Sequence, residues 1–381
     1  MKKIVGILAA SAVLASSVFA ADVAAKVKLT GSIINYDVDA ARAKGFDVNR
    51  DGKADPMFTV AIDDTTVGAK VTMDVNSIKK IAKNDDGTLK EGDSFSTLEV
   101  KDTLIWFKPL DMLKVSVGNT DPGLSGSYLE DKNINSADRL YWKKEVKNLT
   151  NGGPGYQIDV TVADLTISGF VGGGAYGTPF FGAEDKTVQN ARVKVAYANE
   201  SIGNIAVLAA SSQSFARNFI GAEYKNDKLI DGLGVMAQAG VDIVDFQDKA
   251  ELGAVDFLAS AKYVMDALTI RGDVFGSVFL YDGADNLNSP LFISVFAKVE
   301  YALGNITPYF FVAARDITEA GNKDGAGLTK TNEDNSFRSL EFKPGVAGTF
   351  GLLSWDAAVS IKLANDMKAV IDVPVEFSVA F

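Results

Sequence analysis

The sequence predicts an all-β fold, a single transmembrane antiparallel β-barrel of about 18 strands, with about 16 as the alternative. Three observations predict it. Apolar and polar residues alternate with period two in segment after segment, the pattern of a strand with one greasy and one wet face. The clearest segments match the roughly 9–11 residues that a tilted strand needs to cross a bilayer. Tight connections alternate with long polar ones along the chain, as they do when every second turn lies on the same rim of a barrel.

The N-terminal residues set the compartment. Lys2 and Lys3 make a positive start, Ile4 to Leu14 an apolar run, and Ser17, Val18, Phe19 and Ala20 a cleavage region rich in small residues. That order is a secretory signal peptide, residues 1–20, cleaved after Ala20. Its apolar run is too short to span a bilayer. With no Cys in the chain, a lipoprotein anchor has no attachment point and a disulfide scaffold is ruled out. Residues 21–381 then form one barrel domain, with 36 basic residues against 49 acidic once Lys2 and Lys3 are gone, a balance of −13. Such acidity argues against nucleic acid as a partner. The absence of His removes the usual general base near neutral pH and the commonest transition-metal ligand, so an enzyme is not expected. After the signal peptide no stretch reaches 18 consecutive apolar residues, and membrane-spanning helices are not expected.

The strands are read in order at 25–37, 56–64, 66–75, 97–108, 111–119, 155–163, 164–173, 189–199, 202–212, 215–225, 232–243, 254–264, 267–280, 291–302, 304–315, 338–348, 351–363 and 371–381. In the first, Lys26, Lys28, Thr30 and Ser32 interleave with Val27, Leu29, Gly31 and Ile33. Lys70, Thr72 and Asp74 interleave with Ala69, Val71, Met73 and Val75 in the third. Gln157, Asp159 and Thr161 alternate with Tyr156, Ile158, Val160 and Val162, and Arg192 and Lys194 with Val193, Val195 and Tyr197. Further on, Asp256, Ser260 and Lys262 alternate with Val255, Phe257, Ala259, Ala261 and Tyr263. Ser294, Lys298 and Glu300 do so with Ile293, Val295, Val299 and Tyr301, and Asp356, Ser360 and Lys362 with Trp355, Val359, Ile361 and Leu363.

The tight connections fall at Asp64-Thr65, Pro109-Leu110, Ala163-Asp164, Glu200-Ser201, Met265-Asp266, Leu303-Gly304 and Phe350, with a slightly longer one from Asn226 to Asp231. The long ones are 38–55, 76–96, 120–154, 174–188, 281–290 and 316–337. Tyr36, Trp106, Phe107, Tyr141, Trp142, Tyr197, Tyr224, Tyr263, Tyr281, Tyr301 and Trp355 lie mostly near strand ends, where aromatic belts meet the lipid headgroups.

The last strand carries the sharpest alternation. From Ile371 to Phe381 every odd position is apolar, while Asp372, Glu376 and Ser378 occupy even ones, and Pro374 removes a ladder donor. The terminal Phe381, with Val373, Val375, Phe377 and Val379 at alternating upstream positions, resembles the C-terminal signal of Gram-negative outer-membrane barrels. The architecture of the whole mature chain resembles their porins, and the N-terminal segment has a faint likeness to spirochaete major outer-membrane proteins. The resemblance implies localisation in outer-membrane lipid, recognition by the barrel-assembly machinery, and a water-filled lumen that small hydrophilic solutes and ions cross passively. Homotrimer and monomer both stay open.

Two loops carry candidate sites. Asp47, Asn49, Asp51 and Asp55 place oxygen ligands at positions 1, 3, 5 and 9, Gly52 supplies the sharp turn at 6, and the carbonyl of Lys53 the seventh-position ligand. That spacing suits a structural Ca²⁺ in the first external loop, of the weak extracellular kind at roughly 10⁻⁴–10⁻³ M; Phe58 stands where an EF-hand has its bidentate Glu. The run is similar to the calcium loops of integrin-type β-propeller repeats and, less fully, of dockerins; a solvated acidic loop is the alternative, and no cofactor is required. In general porins the loop corresponding to 120–154 folds into the barrel and narrows it. The resemblance implies that Asp121, Glu130, Asp131 and Asp138 face Lys26, Lys28, Lys70, Arg192, Lys194 and Arg271 across the pore, a transverse field that tunes ion selectivity. The alternative leaves this loop outside.

Gly172-Gly173-Gly174 has no following helix or Walker lysine, and Asn148-Leu149-Thr150 is a sequon by pattern alone. Net acidity points to cation preference, an inference that the basic lumen residues weaken. A surface adhesin or structural barrel is the second reading of the same architecture. A plugged transporter has too few residues ahead of the first strand, and a secreted soluble β-protein would leave the membrane-length alternation without a purpose.

Overall fold

The period-two segments become hydrogen-bonded strands in the computed structural model, which describes residues 22–37, 42–44, 55–74, 99–120, 123–129, 154–172, 190–212, 217–244, 251–280, 291–318, 339–364 and 369–380. In chain order these are β1 (Asp22–Asp37), β2 (Arg42–Lys44), β3 (Asp55–Asp63), β4 (Val67–Asp74), β5 (Glu99–Leu110), β6 (Leu113–Asn119) and β7 (Pro154–Val162). They continue with β8 (Leu165–Gly172), β9 (Asn190–Asn199), β10 (Gly203–Ser212), β11 (Arg217–Ile230), β12 (Leu233–Val244), β13 (Glu251–Met265) and β14 (Leu268–Phe279). The last six are β15 (Leu291–Tyr301), β16 (Ile306–Arg315), β17 (Ser339–Phe350), β18 (Leu353–Ala358), β19 (Ser360–Ala364) and β20 (Ala369–Ala380).

Apart from β2 with β3 and β18 with β19, each strand pairs antiparallel with the next, and the first pairs with the last, from Lys26↔Ala380 to Asp37↔Val370. The sheet therefore closes, and closure removes the edges that would otherwise leave backbone donors and acceptors unmatched in lipid. The twenty segments make eighteen crossings. β2 and β3 run along the same side of β1, at Asn35–Asp37 and Asp22–Lys28, and count as one crossing. β18 and β19 both lie between β17 and β20 and count as another. Their interruption is explained by two prolines, Pro344 on β17 and Pro374 on β20, which flank it and bring no N–H to the ladder. Val359 still donates its N–H to the Pro344 carbonyl at 2.9 Å, so the crossing keeps its register. Eighteen, the expected strand number, thus stands, and the alternative of sixteen does not.

One rim carries tight turns at Asp111–Met112, Ala163–Asp164, Asp231–Gly232, Asp266–Ala267 and Gly351–Leu352, with slightly longer ones at 64–66, 200–202 and 302–305. Ala163 and Asp266 take φ of 49°, and Gly304 and Gly351 take 61° and 58°, the left-handed backbone that matches a hairpin turn to strand twist. Two expected turns shift. Pro109 and Leu110 belong to β5, where an irregularity between Phe107 and Leu110 absorbs the proline. Asn226–Asp231 is mostly strand, because β11 continues to Ile230 through a register shift after Asn226. Among the described residues no helix is long and apolar enough to cross a membrane, a statement that has no bearing on strands.

Outward positions are apolar and bare: Val193 and Val195, Ile205 and Val207, Ile105 and Phe107 are all exposed. A soluble monomer rarely tolerates so extensive a greasy surface, whereas a bilayer rewards it. Phe107, Tyr263, Tyr301 and Phe350 stand exposed beside the tight-turn rim, as an interfacial girdle does. Trp106 does not join them. It is paired with Gly68 and Ser116, which face inward and are buried, so the expectation of a lipid belt at Trp106 is corrected by the parity of its strand.

Candidate functional site: the barrel lumen

The face opposite the greasy one is polar. Ser116, Ser168, Arg192, Glu223, Gln238, Asp242, Asp256, Ser260, Asp273, Ser277, Ser294, Glu341 and Lys343 all turn inward and are buried. Several bond each other across neighbouring strands: Ser260 donates to Asp273 at 2.6 Å and Ser277 to Asp256 at 2.5 Å. Arg315 pairs with Glu341 at 2.8 Å, and Ser360 donates to Glu341 at 2.9 Å. Ionised groups are costly inside a dry core unless paired; a barrel of this strand number encloses water instead.

Residues 123–129 run inside this wall as a strap. Lys194 donates from Nζ to the Gly123 carbonyl at 2.6 Å. The Ser125 N–H and hydroxyl both donate to the Glu223 carboxylate, at 2.7 and 2.8 Å, and Gln238 donates to the Ser125 carbonyl at 2.7 Å. Gln238 also donates to Glu223, so one carboxylate on β11 collects the strap and the neighbouring strand together. Further along, the Tyr128 N–H donates to Ser260 at 2.9 Å and the Tyr128 hydroxyl to Asp227 at 2.7 Å. Burial and that hydrogen bond to Asp227 push the Tyr128 hydroxyl well above the usual phenol range. Gly234 leaves room for the ring, since a Cβ there would lie 2.9 Å from the Tyr128 hydroxyl.

The strap ends in an apolar seat. Leu129 is 1% exposed and packs with Met236, Leu258, Phe275, Phe296, Phe311 and Ala313, and Leu124 packs on Leu208, Ala210 and Phe219. Phe275 and Phe296 meet edge to face at 5.8 Å. Seven strap residues thus bridge β9, β11, β12, β13 and the wall from β14 to β16, and cover that side of the lumen.

A basic row lies on the wall beside the strap. Lys262 stands directly opposite Arg271, and Arg271 opposite Lys298, on three successive strands. Like charges in such register repel. Glu300 takes both Arg271 and Lys298, the latter at 3.1 Å, and the Lys298 ammonium also lies 4.5 Å from the Tyr309 ring centre.

Among the residues expected from the sequence, Arg192, Lys194 and Arg271 point into the lumen, and Lys70 does so from β4 beside Gly68. Lys26 and Lys28 are in β1, in register with Ala380 and Ser378. Asp121, Glu130, Asp131 and Asp138 lie outside the described residues, as do Asp47, Asn49, Asp51, Lys53 and Phe381; Asp55 opens β3 opposite Lys28. Val373, Val375, Phe377 and Val379 share one side of β20, and Phe377 is exposed on the outside. Among the described residues no cluster of three acidic ligands is placed to hold a metal. Sequence reasoning missed Glu223, Gln238, Ser260 and Asp227, whose partners are about a hundred residues away. Their inward parity was readable; their function as anchors was not.

No protein-family model and no curated protein matches the sequence. Solved structures do match in fold. Pseudomonas aeruginosa OccK9 (OpdG) superposes with a TM-score of 0.52 at 10% identity, over 95% of this chain and 98% of that one. Pseudomonas aeruginosa OccK5 (OpdH) gives 0.53 at 9% identity, over 95% and 98%. Acinetobacter baumannii OccAB2 gives 0.51 at 10%, again over 95% and 98%. In fold, the chain is an eighteen-strand barrel similar along nearly its whole length to these Pseudomonas and Acinetobacter proteins.

Proposed function

We propose that the chain is an outer-membrane porin, through which small hydrophilic solutes and ions diffuse passively along a lumen narrowed by residues 123–129. The observation that carries this reading is the inversion of the wall: apolar residues such as Val207 outside, and Glu223, Gln238, Asp256 and Arg192 inside. The open passage follows the wall from β4 to β7, where Lys70, Lys108 and Thr161 are exposed, because the strap covers the opposite side. Outer-membrane lipid and hydrophilic solutes are then the partners, the outward side of β20 is what assembly machinery reads, and no catalytic chemistry is needed.

Lys70 and Lys108 on the open wall, together with the basic row beside the strap, give the passage a preference for anions, against what net acidity alone suggests. Selectivity follows the charges that line a pore, not the total on the chain. One of the similar structures, Pseudomonas aeruginosa OpdK, was determined with vanillate, an organic anion, which supports the direction. The test is single-channel recording of the refolded protein in a potassium chloride gradient. The reading expects stepwise conductance with a reversal potential of anion-selective sign, moved toward cation selectivity in K262Q/K298Q. A chain that inserts but never conducts leaves the surface-adhesin reading in its place.

A further inference from the structure

Trp106 is an unusual residue for a wet wall. A tryptophan near a barrel rim suits the lipid interface, yet this one faces inward while its neighbour Phe107 is exposed outside. Its indole lies flat on β4, over Gly68, where a Cβ would come within 2.2 Å of the ring nitrogen. Two ammonium groups stand against the ring: Lys114 at 4.9 Å and Lys108 at 5.5 Å from its centre. Lys108 and Lys114 sit on adjacent strands, one step past the Phe107↔Val115 pair and next to the irregularity that ends it. Lys70 is on the same inward side, two residues from Gly68.

Like charges side by side repel, and the attraction of each cation to the indole face offsets this only in part. The carboxylate opposite Lys114 is Asp159, which also accepts the Gln157 side-chain amide at 2.7 Å. Asp63, opposite Gly68, is a second acidic residue in register with the group, and Asp111 lies in the turn between the two lysines. Lys108 is exposed and Lys114 half-buried, so both ammoniums are within reach of a solute in the passage.

We propose that Lys108 and Lys114, both against the Trp106 ring at the tight-turn mouth, form a binding subsite for small oxyanions, carboxylate or phosphate. Two ammoniums on adjacent strands match the two oxygens of such a group, and the indole edge supplies a flat apolar contact for an aromatic carboxylate. The site depends on the wet lumen of the proposed function, but its test needs no conduction, so the two readings fail separately.

The chain has three tryptophans, and W142F/W355F leaves Trp106 as the single emitter. The full-length barrel, refolded in detergent, is titrated with sodium phosphate and with sodium benzoate, against sodium chloride at matched ionic strength. The proposal expects a saturable change in emission with phosphate or benzoate that chloride does not reproduce. K108Q/K114Q is expected to weaken it at least ~10-fold, and K108R/K114R to retain it, with heat-modifiable migration showing that each variant is folded. A response identical for all three salts, or one unchanged in K108Q/K114Q, overturns the subsite. If K108Q/K114Q does not fold, the salt comparison on the parent and K108R/K114R decides alone: loss of discrimination in both overturns it.

Discussion

Two sides of one wall meet the lumen differently. From β9 to β17 the inward side chains are packed under the strap: Leu208, Phe219, Phe311 and Ala313 have no exposed surface. From β4 to β7 the same inward parity presents Lys70, Lys108 and Thr161 to solvent, with Trp106, Gln157 and Asp159 half-exposed. Strand alternation is equal on both sides, so it is the strap, not the pleat, that decides which side water follows. Among the described residues, the seven of the strap cover one side of the ring only, which sets the passage off centre.

The comparison can be broken at its frame first. An arginine at Val207, mid-strand and facing lipid, is expected to destabilise the inserted barrel by about 2–4 kcal/mol, whereas Lys194 occupies the opposite parity on the adjacent strand without that cost. Guanidinium unfolding from lipid vesicles measures the difference. Next comes the anchor. Glu223→Ala strands the Ser125 N–H, the Ser125 hydroxyl and the Gln238 amide together, at about 1–3 kcal/mol for buried unmet donors. The expected readout is a larger single-channel conductance and earlier proteolytic cutting in 123–129. Tyr128→Phe removes one bond to Asp227 and is expected to loosen the strap by roughly 0.5–1.5 kcal/mol, visible as more frequent brief open-state fluctuations. Smallest is the calcium proposal for Asp47, Asn49, Asp51 and Asp55. At a millimolar ion concentration a weak site adds about 0.4–1.4 kcal/mol, and a chelator should lower the melting temperature in wild type but not in Asp51→Ala.

Alternation read along the chain placed Arg192, Lys194 and Lys70 on the wet face, because period two is a local property of a strand. It also counted eighteen crossings, since hairpin turns are local too. The failures have local causes of their own. Trp106 was assigned by its distance from a strand end, while Phe107, one residue on, is the one that parity turns to lipid. Asn226–Asp231 reads as a polar loop, yet the chain keeps pairing through it by slipping register. Pro109 looks like a turn residue and instead sits at an irregular strand end. The strap was named only through a resemblance. Ser125 meets Glu223 across 98 residues and Tyr128 meets Ser260 across 132, and no spacing in the sequence records a contact between segments brought together by closure of the barrel.

The chain has no native cysteine, so single thiols can map the passage directly. Lys70→Cys and Thr161→Cys lie on the open side, Ala313→Cys under the strap, and Val207→Cys on the lipid face. With a charged, membrane-impermeant thiol reagent in the bath, the expected result is a stepwise fall in single-channel current at positions 70 and 161, with none at 313 or 207. Current lost at 313 while 70 and 161 stay silent would contradict an off-centre, water-filled passage.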